Sequence, residues 1–280
     1  MKIKNIIKAL AIIALPLGGI GGGLSSCSNI PDDERLIYVE PAKAARNVLI
    51  EDFTGQKCVN CPNATEAIHE IQEVYGENVI AVAIHCGPFG VAGNARNVGL
   101  MTDTGKEYWS KWALEGQPNA KINRGTATND YKNWISEVAK CLETETDVTI
   151  KAEVDYDQST GKGTVNVTTS ANAGRKATIQ VWLTEDNIVA LQSMPDGSTN
   201  REYVHNHVFR AAVNGTWGED ITYTESEMKY SCDFTIDLSD ISVNRWKPED
   251  MHAVVFVYDD NGVEQVVQVP LVAPYIIDVK

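Results

Sequence analysis

The chain has 280 residues, with 24 Lys+Arg against 38 Asp+Glu, for a formal net charge of −14 at neutral pH. Hydrophobic residues make up 43% and charged residues 22%, a globular composition that excludes wholesale disorder and suits about two domains. The acidic balance argues against nucleic acid and against electrostatic attraction to an anionic membrane face, and six cysteines are too few for a disulfide-built fold.

Residues 1–26 read as an export signal and are set aside from fold reasoning. Lys2, Lys4 and Lys8 form a positive start, Ala9 to Leu17 an uncharged apolar core, and a glycine-rich stretch leads into Leu24-Ser25-Ser26-Cys27. The uncharged run is shorter than the roughly 20 apolar residues that a spanning helix needs. Leu-Ser-Ser-Cys resembles the lipobox of bacterial lipoprotein signal peptides. That resemblance implies cleavage before Cys27, lipidation of Cys27, and attachment to a membrane through several acyl chains. Loss of three lysines makes the mature chain more acidic still. Residues 27–45 form the lipidated cysteine and a polar tether. Its Asp32-Asp33-Glu34 run is either a solvated linker or a segment that resembles the surface-export signals of Bacteroidota lipoproteins. The outer membrane is the expected location. Its two faces both stay open, with the surface favoured.

The folded part opens with a short apolar strand, Asn47 to Phe53, and a turn, Thr54 to Lys57. Cys58-Val59-Asn60-Cys61 follows, with Pro62 at a suitable first helical position. Ala64, Ala67, Ile68, Ile71, Val74 and Tyr75 recur at helical spacing, and Gly76 ends that helix. Asn78 to His85 is nearly continuous and apolar, as in a strand buried on both faces. Strand, helix and strand of these lengths predict a parallel crossover unit. An irregular, glycine-rich stretch comes next, with a short helix near Tyr108 to Trp112. A strand at Ala120 to Asn123 and a helix at Tyr131 to Leu142 complete residues 46–144.

Near Thr144 to Asp147 the hydrophobic period changes from about 3.6 to 2. Val148, Ile150, Ala152 and Val154 alternate with polar residues, and Thr164 to Thr168 alternates again. Further strands are predicted at Ala177 to Leu183, Cys232 to Leu238, Ala253 to Tyr258 and Val263 to Val269. The last two flank Asp259-Asp260-Asn261-Gly262, a hairpin turn. Residues 145–280 therefore predict a second domain, an antiparallel β-sandwich of immunoglobulin-like kind.

A C-x-x-C between a strand and a helix is where this motif carries chemistry. The helix start lends positive charge to the first thiol and lowers its pKa from about 8.5. Cys58 is then the nucleophile, and Cys61 can resolve a mixed disulfide. Leu49-Ile50-Glu51-Asp52-Phe53-Thr54-Gly55-Gln56-Lys57-Cys58-Val59-Asn60-Cys61 resembles the strand and active-site turn of the thioredoxin superfamily. The resemblance covers about Val48 to Leu142. It implies that Asp52 is the buried acid that takes a proton from the second cysteine, and that Pro118 is the cis-proline of the site. Lys57 stands where an aromatic residue is usual, and an insertion precedes Pro118. These departures weaken a general reductase more than they weaken the fold. Inert cysteines, or a metal held by Cys58 and Cys61 with Cys86 or His85, are the other readings of the motif. No metal and no cofactor are expected. Cys141 and Cys232 read as buried free thiols or as a tie between domains. His205 and His207, in Tyr203-Val204-His205-Asn206-His207-Val208-Phe209-Arg210, would share one face of a strand and read chiefly as structural residues.

Taken together, the lipoprotein signal, the variant C-x-x-C segment, the Tyr203–Arg210 stretch and the C-terminal β segment resemble the Omp-twenty-eight family of Bacteroidota outer-membrane lipoproteins. That resemblance implies a surface adhesin or receptor, with a protein or other surface partner and no nucleic acid. A membrane-tethered thiol–disulfide oxidoreductase using Cys58, Cys61 and Asp52 is the alternative.

Overall fold

The computed structural model describes residues 46–272. The signal peptide, Cys27 and the tether lie outside the described residues, as do residues 273–280. The architecture is mixed α/β, mostly strand, in several sheets. No helix among the described residues is long and apolar enough to cross a membrane.

Strand β1 (Val48–Thr54) is buried at every position. Helix α1 (Cys61–Tyr75) crosses over to β2 (Val79–His85), which pairs in parallel with β1 from Val48↔Val79 to Thr54↔His85. The helix stops at Gly76, whose φ of 56° suits a residue without a Cβ. Helix α2 (Asp103–Lys111) begins earlier than its apolar residues suggest, because the Thr102 hydroxyl caps it by accepting the Gly105 N–H at 3.0 Å. Strand β3 (Asn119–Ile122) runs antiparallel to β1, and α3 (Trp134–Leu142) follows one 3₁₀ turn.

Alternation along β1 and β2 divides their side chains between two layers. Val48, Ile50, Val79 and Ala81 pack on Ala64, Ile68 and Ile71 of α1 and on Trp134, Val138 and Leu142 of α3. Leu49, Phe53, Ile80, Val82 and Ile84 face the other way.

Ten strands follow, where six are predicted from the sequence: β4 (Thr149–Asp157), β5 (Lys162–Ser170), β6 (Lys176–Glu185), β7 (Ile188–Ser193), β8 (Thr199–His205), β9 (Val208–Ala212), β10 (Glu219–Thr222), β11 (Glu227–Thr235), β12 (Met251–Asp259) and β13 (Gly262–Pro270). Where a separate sandwich is predicted, these strands fall into three groups. Strands β13, β12, β6 and β9 extend the first sheet in the order β13-β12-β6-β9-β2-β1-β3, with β10 on β6. The junction is narrow: Ala83 pairs with Val208, and the Ala83 N–H donates to the His207 carbonyl at 2.8 Å. Strands β11, β5 and β4 make a second sheet. Val165, Val167 and Phe234 of that sheet meet Ile179, Val181, Leu183, Ala253, Val255 and Val257 of the first. Strands β7 and β8 form a hairpin of their own.

The outward layer of β1 and β2 packs with Trp182, Phe209, Val254, Phe256, Val263 and Val266, all from beyond residue 145. One core thus joins residues on both sides of the change of period. Residues 46–272 belong to a single compact unit.

Candidate functional site

The turn after β1 is built by backbone closure. The Cys58 N–H donates to the Gly55 carbonyl at 2.9 Å, and the Lys57 N–H to the Phe89 carbonyl at 3.0 Å. A Cβ on Gly55 would lie 2.5 Å from the Phe89 carbonyl carbon, so only glycine allows this approach. Cys61 is the first residue of α1 and Pro62 the second, and no acid occupies the first turn. The Cys61 N–H donates to Cys58 Sγ at 3.1 Å. The positive end of the helix is thereby directed at the first sulfur.

Cys58 and Cys61 are joined as a disulfide, and each is 2% exposed. Partial exposure of Cys58, which free exchange with a substrate requires, is absent. Cys86, Cys141 and Cys232 are free thiols, so Cys141 and Cys232 do not tie the two segments. Burial raises the pKa of Cys86, with the Asp52 charge adding to it, and pushes Cys232 up to about 11.

Asp52 is 2% exposed, and burial alone raises its carboxyl to about 8. It shares a cavity of about 20 Å³ with Cys61, Thr65, His85, Gln192, Tyr203 and His205. Pro118 does not line that cavity. It is buried ahead of β3, and the Gln117–Pro118 bond is cis. Its neighbour Gln117 donates its side-chain amide to the carbonyls of Thr54 and of Cys86.

The cover over the disulfide comes from the β7–β8 hairpin. Gln192 donates its amide to the Cys58 carbonyl at 2.9 Å and to the Gly55 carbonyl at 3.4 Å. The Ser193 N–H donates to the Gln56 carbonyl at 2.8 Å, and Gln56 Nε2 to the Leu191 carbonyl at 3.3 Å. Sequence reasoning passes over Gln192 and Gln56, because nothing in an isolated glutamine indicates a partner more than a hundred residues away.

His205 and His207 do not share a face. Strand β8 ends at His205, and His207 has φ 56°, which breaks the alternation. His205 turns to the dithiol cavity, its ring 5.2 Å from that of His85. His207 Nδ1 lies 3.3 Å from Asp186 Oδ1, and His252 Nδ1 lies 3.4 Å from Asp186 Oδ2. Both imidazoles line a separate cleft of about 680 Å³. Among the described residues no group of three His, Cys, Asp or Glu has metal-binding geometry.

The model of the family "Outer membrane protein Omp28" matches residues 105–273. No curated protein matches the sequence. Among solved structures, HBP35 of Porphyromonas gingivalis is similar with TM-score 0.63 and 14% identity, over 84% of this chain and 78% of that one. A protein of Agrobacterium tumefaciens is similar with TM-score 0.53 and 15% identity, over 84% and 99% of the two chains. At these identities the likeness is one of fold. A domain of the outer membrane lipoprotein Omp28 from Porphyromonas gingivalis matches at 29% identity, over 45% of this chain and 88% of that one, with TM-score 0.32.

Proposed function

The chain belongs to the family of outer membrane protein Omp28, and from that premise we propose that it is a lipid-anchored binding protein, an adhesin or receptor, whose dithiol segment serves as a scaffold. The protein is an outer-membrane lipoprotein; we read Cys27 as the site of its lipid and the outer surface as the face it serves. Residues 46–144 are read as thioredoxin-like. Residues 145–280 are read as immunoglobulin-like in the way two antiparallel sheets pack, although one of those sheets is shared.

The observation that carries the scaffold reading is the burial of the disulfide beneath the β7–β8 hairpin. A disulfide that no partner sulfur can reach does not turn over. The exposed side of β11-β5-β4 supports binding instead. Lys151, Glu153, Asp155, Lys229, Ser231 and Asp233 stand outward there, opposite-signed and hydrogen-bonding, on a surface well suited to a polar partner. Function then belongs to surfaces rather than to the fold's usual dithiol. The test is reduction of a model protein disulfide such as insulin in the presence of a small dithiol. The scaffold reading expects the protein to add nothing beyond the small dithiol alone, like its C58S/C61S variant. Acceleration that depends on Cys58 overturns it.

A second reading, a gated thiol–disulfide oxidoreductase, is supported by the Cys61 N–H donated to Cys58 Sγ. With the hairpin displaced and the pair reduced, the Cys58 thiolate would attack one sulfur of a substrate disulfide and expel the other as a thiolate. Cys61, having passed its proton to an ionised Asp52, would then attack the Cys58 sulfur and expel the second substrate thiolate. The substrate is reduced as the Cys58–Cys61 bond forms.

A further inference from the structure

Three residues lining the cavity under the dithiol turn each carry one buried polar atom without a hydrogen-bond partner: Asp52 Oδ1, His85 Nδ1 and His205 Nε2. The residues are 2%, 3% and 6% exposed. A buried polar atom that stays unpaired is costly, so three in one place ask for a partner. The cavity, about 20 Å³, exceeds the 10–15 Å³ or so that one water needs.

The hydrogens can be assigned. The other nitrogen of each ring, His205 Nδ1 and His85 Nε2, is not among the buried atoms left without a partner. With the single N–H of each neutral ring placed on that other nitrogen, the orphan nitrogen is an acceptor. A water between two such acceptors donates both of its hydrogens to them. Its lone pairs then face a third group that must donate. A carboxylate cannot do so, whereas a carboxylic acid can. Burial favours the neutral form of all three groups.

We propose that this cavity binds a single water molecule, held by His85 and His205 and accepting the proton of a neutral Asp52 carboxyl, so that the β7–β8 hairpin completes the dithiol site from the second segment of the chain. His205 and His85 are positioning residues. They fix the orientation of the water, and the water fixes the protonation of Asp52. Cys61 and Tyr203 also face the cavity, the charge of Arg210 acts on His85, and Cys86 nearby is a neutral thiol. The site itself stands whether or not the dithiol turns over. Its use as a store for the Cys61 proton rests on the oxidoreductase reading.

The test combines a crystal structure with infrared spectroscopy of the oxidised mature protein at neutral pH. The structure should show one water within hydrogen-bond distance of Asp52 Oδ1, His85 Nδ1 and His205 Nε2. The spectrum should contain a protonated-carboxyl C=O band that disappears in Asp52→Asn. In His205→Phe that band should move to higher frequency, because the acid loses its partner. In His205→Gln, whose amide oxygen can accept from the water, it should stay near its original place. A cavity without water, no carboxyl band at neutral pH, or a folded His205→Phe protein with an unmoved band overturns the proposal. If the water and the band are present but no small thiol exchanges with the pair, the site is supported and the oxidoreductase reading falls.

Discussion

Asp52 is where burial and charge conflict most directly in this molecule. In the folded protein its carboxyl titrates near 8 rather than near 3.8. Between those values the folded state holds a proton that the unfolded state has released, so the contribution of Asp52 to stability falls as pH rises. His205 acts in the opposite sense. It titrates near 4 rather than near 6.5, so the folded state binds fewer protons in that window and stability rises with pH. Above about pH 6.5 the histidine contribution is complete and the fall due to Asp52 continues, by about 2 kcal/mol up to pH 8. Urea unfolding of the oxidised protein across this range should show that decline in the wild type and should show it reduced by about that amount in Asp52→Asn. Parallel profiles would place the proton elsewhere. Glu51, the preceding residue, meets the same burial differently. Arg124 lies 3.3 Å from it and stacks on Tyr258 at 4.0 Å. Asp52 is legible from its place six residues before Cys58. Arg124 is not, because its aromatic surroundings come from distant parts of the chain.

At the scale of elements, the hairpin β7–β8 covers the dithiol turn, and it is also the element least visible in the sequence. Strand β8 is exposed at most positions, so it lacks the alternation that marks β4 or β5. By contrast β1, α1 and β2 are read almost to the residue, since a strand buried on both faces and an amphipathic helix leave strong patterns. The Tyr203–Arg210 stretch is conspicuous in composition, yet a single residue with positive φ sends its two histidines to different sites. Gln192 supplies two of the hydrogen bonds between hairpin and turn, beside those of Ser193 and Gln56. Gln192→Ala removes a donor and leaves buried carbonyls unpaired, at a cost of about 1–3 kcal/mol. Opening of the cover should become about 5- to 160-fold more frequent, and reduction of the disulfide by a small phosphine should speed up accordingly. A rate equal to that of the wild type would mean that the hairpin is not what shields the sulfurs.

For the whole molecule, the change of period near residue 145 is real, but the two segments meet in one sheet and one core. The sequence displays each strand's own pattern and not which strand it will pair with, so the continuation of β2 into β9 through Ala83 and Val208 is invisible before the fold is known. We propose that the division at 144/145 separates two styles of structure and not two folding units. Residues 46–144 expressed alone would expose the faces of Leu49, Phe53, Ile80 and Val82 that Trp182, Phe209 and Phe256 cover. That fragment should lack a cooperative unfolding transition, and so should residues 145–280. Sharp, independent transitions for both would restore a two-domain description. The central claim is that an outer-membrane lipoprotein carries a sealed Cys58–Cys61 disulfide as part of a scaffold. The measurement that tests it most directly is the reduction potential of that pair in the intact mature protein. A value below about −300 mV, in the range of structural disulfides, is the predicted result; a value between about −270 and −120 mV, in the range of working oxidoreductases, would contradict it.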